Sequence, residues 1–384
     1  MGVVTLTATT AFGTESALAY ELDRLGYRDR ETETGRITYR CDEAGIARSN
    51  VMLRCADRVL LRMGAFKAES FDELYDGVSA IGWEGLMPRD ATFPVEAKSV
   101  SSRLFSVSDC QAIAKKAIAE RLKKAYKAAW IEEVGAVYRT ILFIHKDIVS
   151  VGVDTSGEGL HKRGYRILAH GAPIRETLAA AILLITRWRP GIPLIDPFCG
   201  SGTIPIEAAM MAFGMAPGAG REFASMGWGM PGKAAWGDAL AEAGSAAAKV
   251  ERVGIIGTDI DRGSISASRH HAARAGVGGA IHFQEMDVGR TSSPAKNGYT
   301  VTNPPYGERT AHDLPKTYRA MAEAYGRLET WSHHVITAYE GMERIFGRKA
   351  DKRRKLYNGG IECQLYQYLS GPAGRPRADG GRGA

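Results

Sequence analysis

From residue 176 onward the chain alternates apolar strand-like runs with helical ones, and that rhythm restricts its fold more than any other feature of its 384 residues. Glu176 to Trp188 reads as an apolar helix, and PLIDPFCGSGT as a strand running into a glycine turn. Thr203 to Phe213 is helical again, VGIIGTDID is a second buried strand and turn, and Ser264 to Ala275 is a helix. IHFQEMDV and GYTVTNPPY are two further strands. Buried strands that alternate with helices pair in parallel, so the pattern predicts an α/β, doubly wound sheet.

Ligands of such a sheet gather at the carboxyl ends of its strands. At the first of these, DPFCGSGT opens a helix, and Gly200 and Gly202 let backbone approach a ligand. The run lacks both the third glycine of a dinucleotide fingerprint and the Gly-Lys-Ser of a P-loop, so NAD and nucleoside triphosphates lose ground. Asp259 and Asp261 end the next strand. Asp261 reads as the cap of the following helix, which leaves Asp259 to accept hydrogen bonds from ribose hydroxyls. Asp287 in EMDV stands where it can take a hydrogen bond from an adenine amino group, and Asp196 where it can face an ammonium. Strand-end acids beside a glycine turn, without a phosphate cradle, point to the adenosine of S-adenosylmethionine. Its expected contacts are Asp196, Phe198, Cys199, Gly200, Ser201, Gly202, Thr203, Asp259, Ile260, Asp287, Val288 and Asn303.

The fourth strand ends in Asn303, Pro304, Pro305 and Tyr306. No helix continues through two prolines, and a central strand cannot give up two N–H groups. Amine chemistry explains the choice. The lone pair of an aromatic exocyclic amine is delocalised into its ring, and two acceptors aimed at its hydrogens draw the nitrogen towards a tetrahedral form. The Asn303 side-chain oxygen and the Pro304 carbonyl can be those acceptors. Pro305 biases Pro304 away from the α region and so fixes the direction of that carbonyl. Tyr306 can stack on the flat base. These four residues are the expected catalytic set, and neither a metal nor an acid–base dyad is needed.

The N-terminal half reads differently. Residues 3 to 10 form a strand, Phe12 to Leu25 a helix, and a strand, helix and strand follow, which suggests a small α+β unit ending near residue 65. A helix over 69 to 82 and a strand at FPVEAKSV come next. A long helix then opens at Ser108 and Asp109, with Ser108 and Gln111 spaced as a capping box. Its apolar positions are Ile113, Ala117, Ile118, Leu122, Tyr126 and Trp130, and Lys116, Lys123 and Lys127 cluster on another face. A strand pair turns around His-Lys-Asp. Between Lys98 and Arg166 there are 13 Lys/Arg against 7 Asp/Glu, and the whole chain carries +7, so a polyanion such as RNA is a natural partner. A non-periodic linker follows Asp154, Gly214 to Gly232 is expected to be a functional or mobile loop, and the tail GPAGRPRADGGRGA to be disordered. The longest apolar run, Leu178 to Ile185, is too short for a membrane span. Five cysteines without a C-x-x-C pair make a zinc site unexpected and suit the cytoplasm.

The segments DTSGEGLHKRGYR, APIRETLAAAIL, DPFCGSGTIPIEAA, GTDID, NPPYGER and RKLYNGGIECQLYQY together resemble the THUMP-domain RNA guanine-N2 methyltransferases, in particular the RlmL/YpsC-like 23S rRNA group. The N-P-P-Y motif alone leaves adenine, cytosine, guanine and glutamine amino groups open. The resemblance implies a ferredoxin-like segment (1–61), a THUMP RNA-binding domain (62–154), a linker (155–166), a Rossmann-like class I methyltransferase domain (167–370) and a disordered tail (371–384). It implies methylation of one guanine N2 in 23S rRNA or its precursor. Lys116, Lys123, Lys127, His161, Lys162, Arg163 and Tyr165 are then expected near the RNA or the domain junction. Relatives acting on tRNA keep that polymer open as an alternative, and a noncatalytic RNA-binding protein is a further one; a DNA adenine-N6 enzyme lacks a visible target-recognition region. The chain departs from the family where an asparagine is expected near His270 or His271, both of which read as surface or cap residues. Oligomeric state is left open.

Overall fold

The computed structural model of the protein describes residues 2–167, 173–245, 254–306 and 314–370. The expected tail (371–384) lies outside the described residues, as do residues 307–313 beyond Tyr306. Two compact units result, and they trade segments: residues 11–21 belong to the second unit and residues 218–243 to the first.

The first unit is built on one seven-stranded sheet in the order β2-β3-β1-β4-β7-β6-β5. Its strands are β1 (Val3–Thr9), β2 (Arg30–Glu33), β3 (Arg36–Asp42), β4 (Arg58–Lys67), β5 (Val95–Val100), β6 (Thr140–His145) and β7 (Ile148–Asp154). The helices α2 (Ala44–Met52), α3 (Phe71–Ala80) and α4 (Val107–Tyr126) lie between them in the chain, while α1 (Glu15–Arg24) begins in the segment that belongs to the second unit. Antiparallel pairing of β4 with β7, from Leu60↔Asp154 to Lys67↔Ile148, joins both expected N-terminal domains into a single sheet. Lys146 and Asp147 take positive φ at 50° and 65°, the geometry of a two-residue hairpin turn, where the His-Lys-Asp turn was expected.

The long helix differs from its expected form at both ends. Ser106, not Ser108, is its N-cap, and the Ser106 hydroxyl donates to the Asp109 carboxylate at 2.6 Å. Lys127 closes the helix in the left-handed region, so Trp130 falls beyond it and stands 73% exposed instead of packing on the apolar face. The Gly214–Gly232 stretch is also more ordered than expected. Trp228 stacks on Tyr138 at 4.5 Å between centroids and donates its indole N–H to the Val137 carbonyl at 3.1 Å. Ser225 donates to the Thr155 carbonyl at 2.9 Å. The helix after it, Lys233–Ser245 (α7), is held by a bidentate pair of Arg48 with Glu242, both contacts at 2.7 Å. Aromatic packing therefore explains this segment's run of Gly, Met and Trp.

The second unit contains α5 (Glu176–Ile185), β8 (Leu194–Asp196), α6 (Thr203–Ala212), β9 (Ile255–Asp259), α8 (Arg262–Arg274), β10 (Ile281–Glu285), β11 (Tyr299–Thr302), α9 (Leu314–Gly326), β12 (Ser332–Thr337), α10 (Met342–Phe346), β13 (Lys352–Asn358) and β14 (Ile361–Tyr368). The sheet order is β10-β9-β8-β11-β12-β14-β13. Strands β10 to β12 in that order run parallel, as expected, while β14 is antiparallel to both β12 and β13. Residues of β8, β11 and β12 are almost wholly buried, which is why these strands read as unbroken apolar runs. The winding reverses at β8, flanked by β9 and β11, and a crevice opens there at the carboxyl edge.

Candidate active site

That crevice is a cleft of about 980 Å³. It is lined by the turn after β8, by the ends of β9, β10 and β11, and by the β13–β14 turn. All the strand-end residues expected from sequence line it except Gly202.

Two glycines shape its floor. Gly200 has φ +51°, and a Cβ built there would meet nothing within 4 Å, so its missing side chain leaves room for a ligand. Gly202, at φ +87°, works from behind: a Cβ there would come within 2.9 Å of Ser268 Cβ and 3.2 Å of Phe283 Cζ. It lets the N-terminus of α6 press onto the sheet. His271 braces the same turn, with Nδ1 3.1 Å from the Ser201 carbonyl. His271 is fully buried, which corrects its reading as a surface or cap residue; burial pushes its imidazole pKa down, so it stays neutral.

Four acids line the cleft in different states. Asp259 accepts the Gly200 N–H at 2.9 Å on one oxygen and the Asp261 N–H at 3.0 Å on the other. It is thereby locked across two strand ends, and each carboxylate oxygen keeps a further lone-pair direction for a diol. Asp261 caps α8 through the N–H groups of Gly263 and Ser264. Asp287 is exposed and accepts the Gly289 N–H at 2.8 Å. Asp196 is buried, accepting the Thr302 hydroxyl at 2.6 Å and the Phe198 N–H at 3.2 Å. Burial pushes its carboxyl up to about 7, against the opposing effect of the Thr302 hydrogen bond. Beside these groups Ile260 is 70% exposed while lining the cleft, an apolar plate suited to one face of a purine.

At the end of β11, Asn303 Oδ1 is buried and has no hydrogen-bond partner among the described residues. A buried acceptor left unmet costs roughly 1–3 kcal/mol, so a group from outside the chain is the natural donor. Tyr306 is half-buried, and its hydroxyl accepts the Asn358 side-chain N–H at 2.7 Å.

Other expected residues lie elsewhere. Arg163 and Tyr165, expected near the RNA or the domain junction, are buried at 8% and 3% exposure. Both face Glu207 Oε1 of α6, the arginine at 3.5 Å and the tyrosine hydroxyl at 3.2 Å. They stabilise the base of the second unit, whereas Lys162 is exposed and His161 half-buried. Arg166 joins this region through Glu176. Lys116, Lys123 and Lys127 lie in the first unit on or just after α4. Lys116 and Lys127 are exposed, and the Lys123 ammonium sits 5.5 Å from the Trp130 ring centroid. Sequence reading missed Thr302, Asn358 and Tyr318. An Asn-Gly-Gly turn between two β-rich runs was the available signal for Asn358, since it marks a hairpin.

A β10-β9-β8-β11-β12-β14-β13 sheet with a glycine turn, strand-end acids and an Asn-Pro-Pro-Tyr bend around one cleft defines a class I, S-adenosylmethionine-dependent methyltransferase. The cleft's residues fit that cofactor: the Gly200 opening, the locked Asp259 and the exposed Ile260 are all features an adenosine would use. The chain belongs to the RMKL-like methyltransferase domain family, whose model matches residues 163–367. Models of the RlmL ferredoxin-like domain and the THUMP domain match residues 5–60 and 68–154. A Bacillus subtilis (strain 168) protein named "Putative RNA methyltransferase YpsC" is 43% identical over 370 residues, covering 95% of this chain and 96% of that one. A Listeria monocytogenes (str. 4b F2365) structure, described as a "predicted N6-adenine-specific DNA methylase", superposes with a TM-score of 0.91 at 45% identity, covering 97% of each chain. SMU.472, crystallised with SAH, superposes with a TM-score of 0.91 at 38% identity, covering 97% of this chain and 99% of that one. Among the described residues no helix is long and apolar enough to cross a membrane, and no cluster of side chains could hold a metal.

Proposed function

We propose that the protein methylates the N2 amino group of a guanine in 23S rRNA or its precursor, in the cytoplasm. One observation carries the amine chemistry: Asn303 Oδ1 is buried in the cleft with no partner among the described residues. It stands ready for an amine hydrogen, with the Pro304 carbonyl as the second acceptor. Acceptors fixed before the reaction need little rearrangement during it. S-adenosylmethionine supplies an electrophilic methyl group on a sulfonium. The chain's own residues do the rest: Asp259 holds the ribose, Ile260 and Val288 flank the adenine, Asp287 takes its amino group, and Asp196 faces the methionine ammonium. Asn303 and Pro304 draw the acceptor amine into line, and Tyr306 stacks on the base.

RNA as the polymer rests on the THUMP match, on the YpsC likeness and on the basic surplus between Lys98 and Arg166. Residues 62–154, with Lys116, Lys123 and Lys127, form the proposed RNA-contacting domain. Guanine in 23S rRNA rests on the RlmL-type resemblance. The Listeria relative's description names a different acceptor, the N6 of adenine in DNA, and the same bend could serve it. Nucleoside mass spectrometry on 23S rRNA, tRNA and DNA from a deletion strain tests the assignment. Loss of N2-methylguanosine from 23S rRNA alone is expected. Loss from tRNA, or loss of N6-methyladenine from DNA, would overturn it.

A further inference from the structure

The Asn-Pro-Pro-Tyr bend carries several polar atoms that could accept a hydrogen bond, and the protein ties down only some of them. The Tyr318 hydroxyl donates to the Pro305 carbonyl at 3.2 Å. It also lies 2.5 Å from the Thr337 hydroxyl, and Thr337 Oγ1 in turn accepts the Tyr339 N–H at 3.0 Å. A phenol has one proton and a carbonyl has none to give. If that proton is on Pro305, the Thr337 hydroxyl must donate to Tyr318. The order of donation is then fixed throughout: Tyr339 N–H to Thr337, Thr337 O–H to Tyr318, Tyr318 O–H to Pro305. Each member donates once and none is left unmet.

The chain is anchored in rigid structure. Tyr318, on α9, is fully buried and packs against Tyr339 at 4.5 Å between centroids, and Thr337, the last residue of β12, is 1% exposed. Asn358 separately holds the Tyr306 hydroxyl from the neighbouring hairpin. Pro305 O and Tyr306 Oη are thus occupied, while among the described residues Asn303 Oδ1 is buried without a partner and nothing donates to the Pro304 carbonyl.

We propose that the Tyr318–Thr337 hydroxyl pair is a positioning device for methyl transfer: by tying the Pro305 carbonyl into the core, it fixes the Pro305–Tyr306 peptide plane and, through the ring-locked φ of Pro305, the adjoining Pro304–Pro305 plane, and so the aim of the Pro304 carbonyl at the acceptor amine. The inference rests on the reading of Asn303 and Pro304 as the amine acceptors. Tyr318 touches neither cofactor nor base and acts through the bend. Its loss therefore slows transfer without loosening binding.

The test measures methyl transfer from radiolabelled S-adenosylmethionine to 23S rRNA extracted from a deletion strain, with the full-length protein. Tyr318→Phe and Thr337→Val each keep shape and remove one hydroxyl, while Thr337→Ser retains the hydroxyl. Both hydroxyl-less variants are expected to lower kcat by about ten- to a hundredfold, the scale of small misplacements at a reacting centre. KM for the RNA and the Kd for S-adenosylhomocysteine should stay within about twofold. Thr337→Ser should keep a near wild-type kcat, and Tyr318→Phe combined with Thr337→Val should lose little more than either alone, because the two act as one chain. Wild-type kcat in Tyr318→Phe would overturn the inference, as would equal loss of kcat and S-adenosylhomocysteine affinity. Asn303→Ala run alongside separates the two readings. If it is inactive while Tyr318→Phe is fully active, the acceptor reading stands and only the positioning role falls; if Asn303→Ala is itself fully active, the acceptor reading falls first.

Discussion

The Asp196 carboxyl offers a prediction whose size follows from its surroundings. Burial lifts its pKa to about 7, so at pH 6 roughly one site in ten is ionised and at pH 8 roughly nine in ten. The ammonium of S-adenosylhomocysteine keeps its charge over this range and favours the ionised carboxylate. Binding should therefore tighten about tenfold from pH 6 to pH 8, equivalent to about 1.4 kcal/mol. Titration calorimetry at constant ionic strength measures it. Asp196→Asn removes the titration and should flatten the profile, while lowering affinity at pH 8 by about ten- to a hundredfold, the range for a lost charged hydrogen bond. The ligand-free protein should respond in the opposite direction. A native pKa above the ordinary value of 3.8 gives a stability contribution that is complete below that value and is lost as the pH rises towards about 7. An affinity that does not change between pH 6 and pH 8, or an Asp196→Asn profile as steep as wild type, would refute the ammonium role.

Asn303→Ala should leave S-adenosylhomocysteine affinity within about threefold and reduce transfer by about a hundred- to a thousandfold in single-turnover assays; parallel losses would contradict an acceptor acting only in the reaction. Changing Lys116, Lys123 and Lys127 together to Ala should weaken RNA binding and lower its salt slope by about 2 on a log–log plot, whereas an unaltered slope would make that face merely solvated. Gly202→Ala introduces a Cβ 2.9 Å from Ser268 at a left-handed backbone position, and it should cost about 2–4 kcal/mol in denaturant unfolding. Trp228→Ala should lower the melting temperature by removing about 3–5 kcal/mol of aromatic packing on Tyr138, with S-adenosylhomocysteine affinity retained.

The strand ends were legible in the sequence because their chemistry is local. An acid or Asn-Pro-Pro-Tyr follows directly on a buried strand, and parallel pairing brings all these ends to one edge. What escaped depends on partners far away in the chain. Arg163 reads only as a residue near the RNA or the domain junction until Glu207, 44 positions later, is seen facing it in the core. His271 looks like a surface residue until the Ser201 carbonyl, 70 positions earlier, is found against it. Asn358 meets Tyr306 only because β14 inserts between β12 and β13, a strand order that periodicity does not reveal. The helix cap at Ser106 was missed by two residues because three hydroxyl or carboxyl side chains crowd one short run, and spacing alone does not choose among them.

The borrowed segment 218–243 has a consequence for how this chain is made. The carbonyl of Val137 awaits a donor that lies 91 positions downstream, on Trp228. During synthesis the N-terminal sheet can emerge and pair, but its Tyr138 face stays bare until the ribosome has passed the glycine turn and α6. An early contact of such long span is slow to close. Maturation of the first unit is therefore tied to translation well into the second, and a protein cut after residue 160 should emerge sticky at Tyr138 rather than as a self-sufficient module.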